Sequence, residues 1–495
     1  MRKRSMFALL LIALALPSLA HAQAYGAEDH AGHQEGKVAI TTDSDDARAL
    51  FLRARNLAEK LHAADARPIY REAIAADPNF ALAYFGLANA AGSNDEFFEN
   101  LEKAVSLVDR ASEGERLMIT GLDTGVKGNP EKQLELYKEL VGSFPRDERA
   151  HQLLAGLYFG RQDYEAAIKH YSHATEINPE FSPAYNLLGY ANRSLGNYEA
   201  AEVAFQKYIE VLPDEPNPHD SYAELLMKMG RFEESIEQYK KALEADPSFQ
   251  FSYAGIANNQ MFLGDTDAAR ETLHEMYEVA ETDGIRRQAL LWMAASHMYD
   301  GDRSAAMEVM HKRFEIAEAN DDHLAMSNDY NLMGRVLLDT GNADEASALF
   351  QKAVDEVAYA DIPEEVKEAT RRNHHYTAAL IGLATKDLQS AKTHARTYHE
   401  SVQLHQVPFE IRQDHELLGR IALIEGDNEG ALEHFSHANQ QDPRVLYAMA
   451  EAYEGQGDQV ASEEMAEQAA NFNQLNFALS YVRDDARRMV AQADE

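Results

Sequence analysis

Apolar, small and aromatic positions return along this chain with a period of 34 residues. An aromatic column runs through Tyr137, Tyr171, Phe205 and Tyr239. One column of small residues holds Gly121, Ala155, Gly189, Ala223 and Ala257, and a second holds Gln133, Ala167, Ala201, Ser235 and Ala269. Pro145, Pro179, Pro213 and Pro247 close the rows. Such a period marks a helix–turn–helix unit that cannot bury its apolar face alone and stacks on copies of itself. Helices pack at about 8–10 Å where small residues sit at the crossing, so both small columns are expected at crossing points. The aromatic column is expected to fill the space between units. Proline lacks an N–H and clashes with the preceding turn, so it ends each second helix. Gly196 and Gly230 mark the tight turn inside a unit.

Units starting near residues 47, 81, 114, 148, 182, 216 and 250 keep the period. Later units are marked by Gly301 with Ala294 and Ala306, by Gly341 with Gly334, Ala346 and Phe350, and by Ala391. Gly426 with Gly419, Ala431 and Phe435, and then Gly457 with Ala450, complete about twelve units over residues 43 to 470. Their wider spacing, with starts near 287, 327, 372 and 412, predicts longer second helices or longer loops. The clearest copy reads Leu188-Gly189, Gly196, Tyr198, Ala201, Phe205, Pro213. It resembles the tetratricopeptide repeat family. The resemblance implies an all-α, right-handed superhelical solenoid of stacked antiparallel helix pairs.

The expected organisation is a signal peptide at 1–22, a disordered leader at 23–42, a regular array at 43–285 and divergent units at 286–470. A capping helix and tail at 471–495 follow, with Leu475, Phe477, Tyr481, Val482 and Met489 on the apolar side. The signal peptide is read from Arg2, Lys3 and Arg4, the apolar run from Met6 to Leu16, and Ala20-His21-Ala22. Cleavage after Ala22 or Ala24 would give an exported chain, periplasmic or secreted. With no cysteine in the sequence, neither a lipid anchor nor a disulfide is expected.

A formal charge of −37 repels phosphate backbones and anionic lipid, so neither nucleic acid nor a membrane surface is an expected partner. Nucleotide-binding, nucleophile-elbow and zinc-protease signatures are absent from the sequence; His274-Glu275 and His415-Glu416 lack the second histidine. The chain is therefore expected to be no enzyme and to need no cofactor. Asp220 and Glu224 are the first candidates should it be an all-helical enzyme acting on sugars. Of 20 histidines, six crowd into His374, His375, His394, His399, His405 and His415. They support an alternative reading as a metal- or pH-responsive binding protein, although no specific metal site is assigned.

The resemblance also implies that first helices line a ligand groove. Its inner positions are Asn186, Tyr190 and Arg193; Asn217, Asp220, Glu224 and Lys228; Asn258, Met261 and Phe262; Trp292, Met298 and Tyr299; and Asn331 and Arg335. Amides can pair with the backbone of an extended peptide, and aromatic rings add rigid apolar contact. The expected function is a protein–protein interaction scaffold that binds a polypeptide segment. The partner and the oligomeric state stay open. A basic clamp for a C-terminal carboxylate is not expected, because Asp220 and Glu224 occupy two of its places.

Overall fold

The computed structural model describes residues 36–473 and 479–493, apart from residues 128, 361, 363 and 406. The signal peptide, most of the leader, Leu475 and Phe477 lie outside the described residues. Among the described residues there are 25 α-helices and no strand. Twenty-four of them form twelve successive helix–turn–helix pairs, from Asp45–Glu59 with Ala63–Ala76 to Pro443–Gln456 with Gln459–Ala470. The fold is the all-α array of stacked helix pairs that the period implies.

One pair shows how the sequence builds the rest. Helix Ser182–Ser194 stops where Gly196 takes the left-handed conformation, at φ +75°. The chain reverses there, and helix Tyr198–Val211 begins two residues on. The same conformation recurs at Gly230, Gly264, Gly301, Gly341, Gly426 and Gly457, but Leu61, Gln162 and Lys386 adopt it without the freedom of glycine. Aspartates open several second helices: Asp163, Asp265, Asp302, Asp427 and Asp458 each accept from a backbone N–H of the first turn. Second helices end at Ser143, Ile177, Val211 and Ala245, each two residues before its proline.

Packing assigns the small columns a different neighbour from the one expected. A Cβ on Gly189 would lie 2.6 Å from the Phe205 ring, on Gly334 2.8 Å from Phe350, and on Gly419 2.6 Å from Phe435. These glycines therefore seat a ring and not a facing backbone. Gly86 and Gly255 receive rings from the preceding pair, Tyr70 at 2.5 Å and Tyr239 at 2.1 Å. The aromatic column is thus wedged between small residues of its own pair and of the next. Gly382 is the bare crossing, where a Cβ would meet the Ala391 nitrogen at 2.7 Å. Ala155, Ala167, Ala201, Phe205, Ala223, Ala269, Ala346 and Ala431 are fully buried.

The wider spacing of the later units comes largely from their first helices. These run 17, 17, 21 and 18 residues in Asp283–Tyr299, His323–Asp339, Glu364–Ala384 and Pro408–Glu425, against 13 in Ser182–Ser194. The extra turns lie at the N-terminal end, so these helices begin before the expected starts. No described helix is long and apolar enough to cross a membrane.

The chain forms two compact units. One holds the residues up to Leu225 with Lys241–Phe249, the other Leu226–Lys240 with Gln250 onward. This division falls inside the sixth pair, whereas the repeat spacing changes near residue 283. In the first unit the array's contacts begin before residue 43. The Val38 N–H donates to Asp147 (2.9 Å), the Thr41 N–H donates to Glu115 (2.8 Å), and Ser112 donates to the Ala39 carbonyl (2.9 Å). Residues 36–42 are therefore docked, held by backbone bonds that a composition rich in polar residues does not reveal. Arg149 grips Glu59 with two bonds of 2.6 and 3.0 Å, and His62 meets Glu215 at 2.8 Å.

In the second unit the helix Leu479–Ala493 packs on both helices of the last pair and on Asp283–Tyr299. Its Val482 and Ala486 are buried. Arg483, only 4% exposed, lies over the rings of Phe262 (4.6 Å) and Tyr299 (5.9 Å). Its Nη2 donates to Asn473 at 3.1 Å. Phe472 lies under the Lys228 ammonium at 4.2 Å.

Candidate binding groove

In the first unit, the faces of helices Ser182–Ser194 and Pro216–Lys228 are tied by a ladder with a step of 31 residues. Asn186 donates to Asn217 (3.5 Å), Tyr190 donates to Ser221 (3.1 Å) and Arg193 donates to Glu224 (2.8 Å). The Arg193 guanidinium also lies 4.6 Å above the Tyr190 ring. Tyr190 meets Phe205 edge-on, with ring centres 5.2 Å apart. Burial and the Glu224 carboxylate hold the Tyr190 hydroxyl well above its ordinary range, so it stays a donor. Asn217 Oδ1 is the hub, accepting also from Tyr208 (3.0 Å) and Ser221 (3.4 Å). Among the described residues the Asn186 carbonyl oxygen is buried without a hydrogen-bond partner. This polar rail is largely spent on itself.

In the second unit, four first helices enclose a depression of about 390 Å³: His323–Asp339, Glu364–Ala384, Pro408–Glu425 and Pro443–Gln456. Leu338, Leu380, Leu383 and Leu423 give it an apolar floor; Arg335, Asp339, Arg420 and Glu451 line it with charge. Arg335 Nε donates to both Asp339 oxygens, at 3.1 and 3.0 Å. Arg420 Nε donates to Glu416 at 2.9 Å, while Arg420 Nη2 is buried without a partner among the described residues. Burial pushes the Glu451 carboxyl up, opposed by Arg420. The site therefore suits an apolar side chain carried beside a carbonyl or carboxylate that can accept from Arg420.

The other sequence candidates are distributed differently. Met261 and Met298 are core residues, 3% and 5% exposed. Asn258 and Asn331 donate to their own helices, at Ala254 and Ser327. Trp292 packs half-buried against the core around Met261 and Ala289. Phe262 and Tyr299 lie beneath Arg483. Asp220 is buried, and Glu224 is paired with Arg193.

The six crowded histidines are only partly brought together. His375 meets His394 and His415 meets His434, each with Nδ1 atoms 3.2 Å apart. His399 pairs with Asp414 (2.6 Å), and His405 turns to the Ser401 carbonyl (2.8 Å). Among the described residues no group of three histidine, aspartate or glutamate side chains is placed to hold a metal ion.

Sequence reasoning missed Arg420, Leu380, Leu383 and Glu451. Arg420 is the ninth residue of the unit expected to start near 412, the place Tyr190 holds in the unit starting at 182. Carrying the inner-position count past residue 335 would have found it.

Tetratricopeptide-repeat models match this chain at residues 156–196, 182–215, 216–249 and 330–356. The small glutamine-rich tetratricopeptide repeat-containing protein 2 of Mycosarcoma maydis is 29% identical over 135 residues, which is 25% of this chain and 37% of that protein. The chain thus matches well under half the length of this curated relative. Among solved structures, the MamA protein is similar at 22% identity and a TM-score of 0.32, over 35% of this chain and 94% of MamA. A tetratricopeptide repeat protein from Parabacteroides merdae is similar at 16% identity and a TM-score of 0.33, over 66% of this chain and 98% of that one.

Proposed function

We propose that this chain, which carries tetratricopeptide repeats, is a non-enzymatic scaffold that binds a polypeptide segment on the first-helix face of its second unit. One observation carries the proposal: the leucine-floored depression lined by the Arg420 guanidinium. A ligand carbonyl or carboxylate in the depression would accept from that guanidinium. The leucines would take an adjoining apolar side chain, which is the way side chains seat in a peptide-recognition groove. The polar rail around Asn217 is a secondary contact surface. The charged N-terminal stretch followed by an apolar run supports export, so the partner is proposed to be a protein of the bacterial periplasm or of the exterior.

Photocrosslinking in living cells tests this. A photoreactive residue at Leu383 should trap a discrete polypeptide, and Arg420→Gln should weaken the trapping at least tenfold. No polypeptide above background at Leu383, or trapping indifferent to Arg420→Gln and Leu423→Asp, would sink the proposal.

A further inference from the structure

Residues 36–42 cross the first unit as a non-helical segment whose backbone is gripped at five points. The Gly36 carbonyl accepts from the Arg146 N–H (3.1 Å), and the Ile40 carbonyl accepts from the Arg48 guanidinium (2.7 Å). Between and beside these, Val38 donates to Asp147, Ala39 accepts from Ser112, and Thr41 donates to Glu115. Two side chains are gripped as well. Lys37 meets Glu148 at 2.9 Å. Val38 lies in a slot that Gly114 leaves open: a Cβ there would stand 2.6 Å from a Val38 methyl and 3.1 Å from the Phe144 ring.

The groups that hold the segment are the ends of helices Glu113–Val126 and Glu148–Gly160, used twice. Glu115 takes the Ser112 N–H on Oε2 (2.7 Å), closing its own capping box, and the Thr41 N–H on Oε1 (2.8 Å). Asp147 caps its helix through Oδ1, which accepts from Arg149 (3.0 Å) and Ala150 (2.9 Å), and gives Oδ2 to Val38. Glu148 divides likewise, with Oε1 on Arg149 (2.6 Å) and Oε2 on Lys37. A cap needs one side-chain oxygen, so each carboxylate keeps one oxygen for the fold and turns the other to the segment. All three are buried, at 1%, 6% and 1% exposed.

We infer that this edge of the first unit is a peptide-binding site for a non-helical segment with a basic residue followed directly by an apolar one, and that residues 36–42 are a ligand the chain carries for it. The site is separate from the depression around Arg420 and does not rest on that reading. Most of its contacts go to backbone atoms, which any peptide can offer, while the lysine contact and the valine slot select among them. Val38 and Ile40 are only half-buried, so little apolar burial opposes release. The segment ends before helix Asp45–Glu59 begins, so it can leave without unravelling a helix pair. A partner segment of the same chemistry would take the edge by exchange, and the acidic chain favours a basic one.

The test uses the full chain carrying Val38→Asp, which sets a carboxylate beside Asp147 and should free the segment while leaving the caps intact. The probe is a fluorescent synthetic peptide with the sequence of residues 36–42, read by anisotropy. The variant should bind it, and the parent should bind it at least tenfold more weakly because its own segment holds the edge. The same peptide with Lys37→Glu should bind the variant at least tenfold more weakly. Hydrogen exchange of the parent needs no variant: the Val38 and Thr41 amides should exchange through a local opening, faster than those in the middle of helix Glu148–Gly160. A variant that keeps the parent's helical circular dichroism and binds no peptide would overturn the inference. So would binding indifferent to Lys37→Glu, or Val38 and Thr41 amides that exchange only when the helices do.

Discussion

Phe205 is held by a clearance that only glycine leaves. Because a Cβ on Gly189 would stand 2.6 Å from its ring, Gly189→Ala should cost about 1–3 kcal/mol through overpacking, read as a lower urea midpoint. Adding Phe205→Leu should recover part of that loss, so that the double change costs less than the sum of the single ones. Additive costs would show that ring and glycine are not in conflict. The turns make the opposite case. Gln162 and Lys386 adopt φ +63° and +61°, where a side chain costs about 1–2 kcal/mol. Glycine gives back about 0.5–1 kcal/mol of that in chain entropy. Gln162→Gly and Lys386→Gly should each stabilise the chain by about 0.5–1 kcal/mol, and an unchanged or lower melting temperature would refute this. The small columns were legible in the sequence because a period exposes them. Which atom each glycine faces was not, because a column fixes register and says nothing about where a neighbouring ring points.

Helix pairs carry the next level of cooperation. Asn217 accepts from Asn186, Tyr208 and Ser221, linking two successive first helices to a second helix. Asn217→Ala should leave those donors without their acceptor and cost about 1–3 kcal/mol. An unchanged midpoint in denaturant would mean that solvent already satisfies them. The number of pairs and the starts of the regular ones were legible from prolines and turn glycines. The depression around Arg420 was not, because the count of inner positions stopped at Arg335, short of Leu380, Leu383 and Arg420.

At the scale of the whole molecule, distant residues close each compact unit on itself. In the first unit, His62 and Glu215 are 153 residues apart in sequence and 2.8 Å apart in space. The hydrogen bond to Glu215 raises the His62 pKa above 6.5, against opposing desolvation. Desolvation of Glu215 is outweighed by His62, which holds the carboxyl below 4.5. The histidine's contribution is complete below pH 6.5 and is lost as pH rises through its elevated folded value. The glutamate's is complete above pH 4.5 and is lost as pH falls through its depressed folded value. The stability difference between the parent and His62→Ala should therefore peak between about pH 4.5 and 6.5, at about 1 kcal/mol or less. A difference that is flat with pH would exclude the pair as its source. The second unit closes through Arg483, whose guanidinium is buried above the rings of Phe262 and Tyr299. Those two rings therefore already have a tethered occupant, present at an effective concentration of about millimolar order. A newcomer's measured dissociation constant would be its intrinsic value divided by the fraction of time the rings stand uncovered, so binding curves taken on the intact chain would understate how well the rings hold a cation.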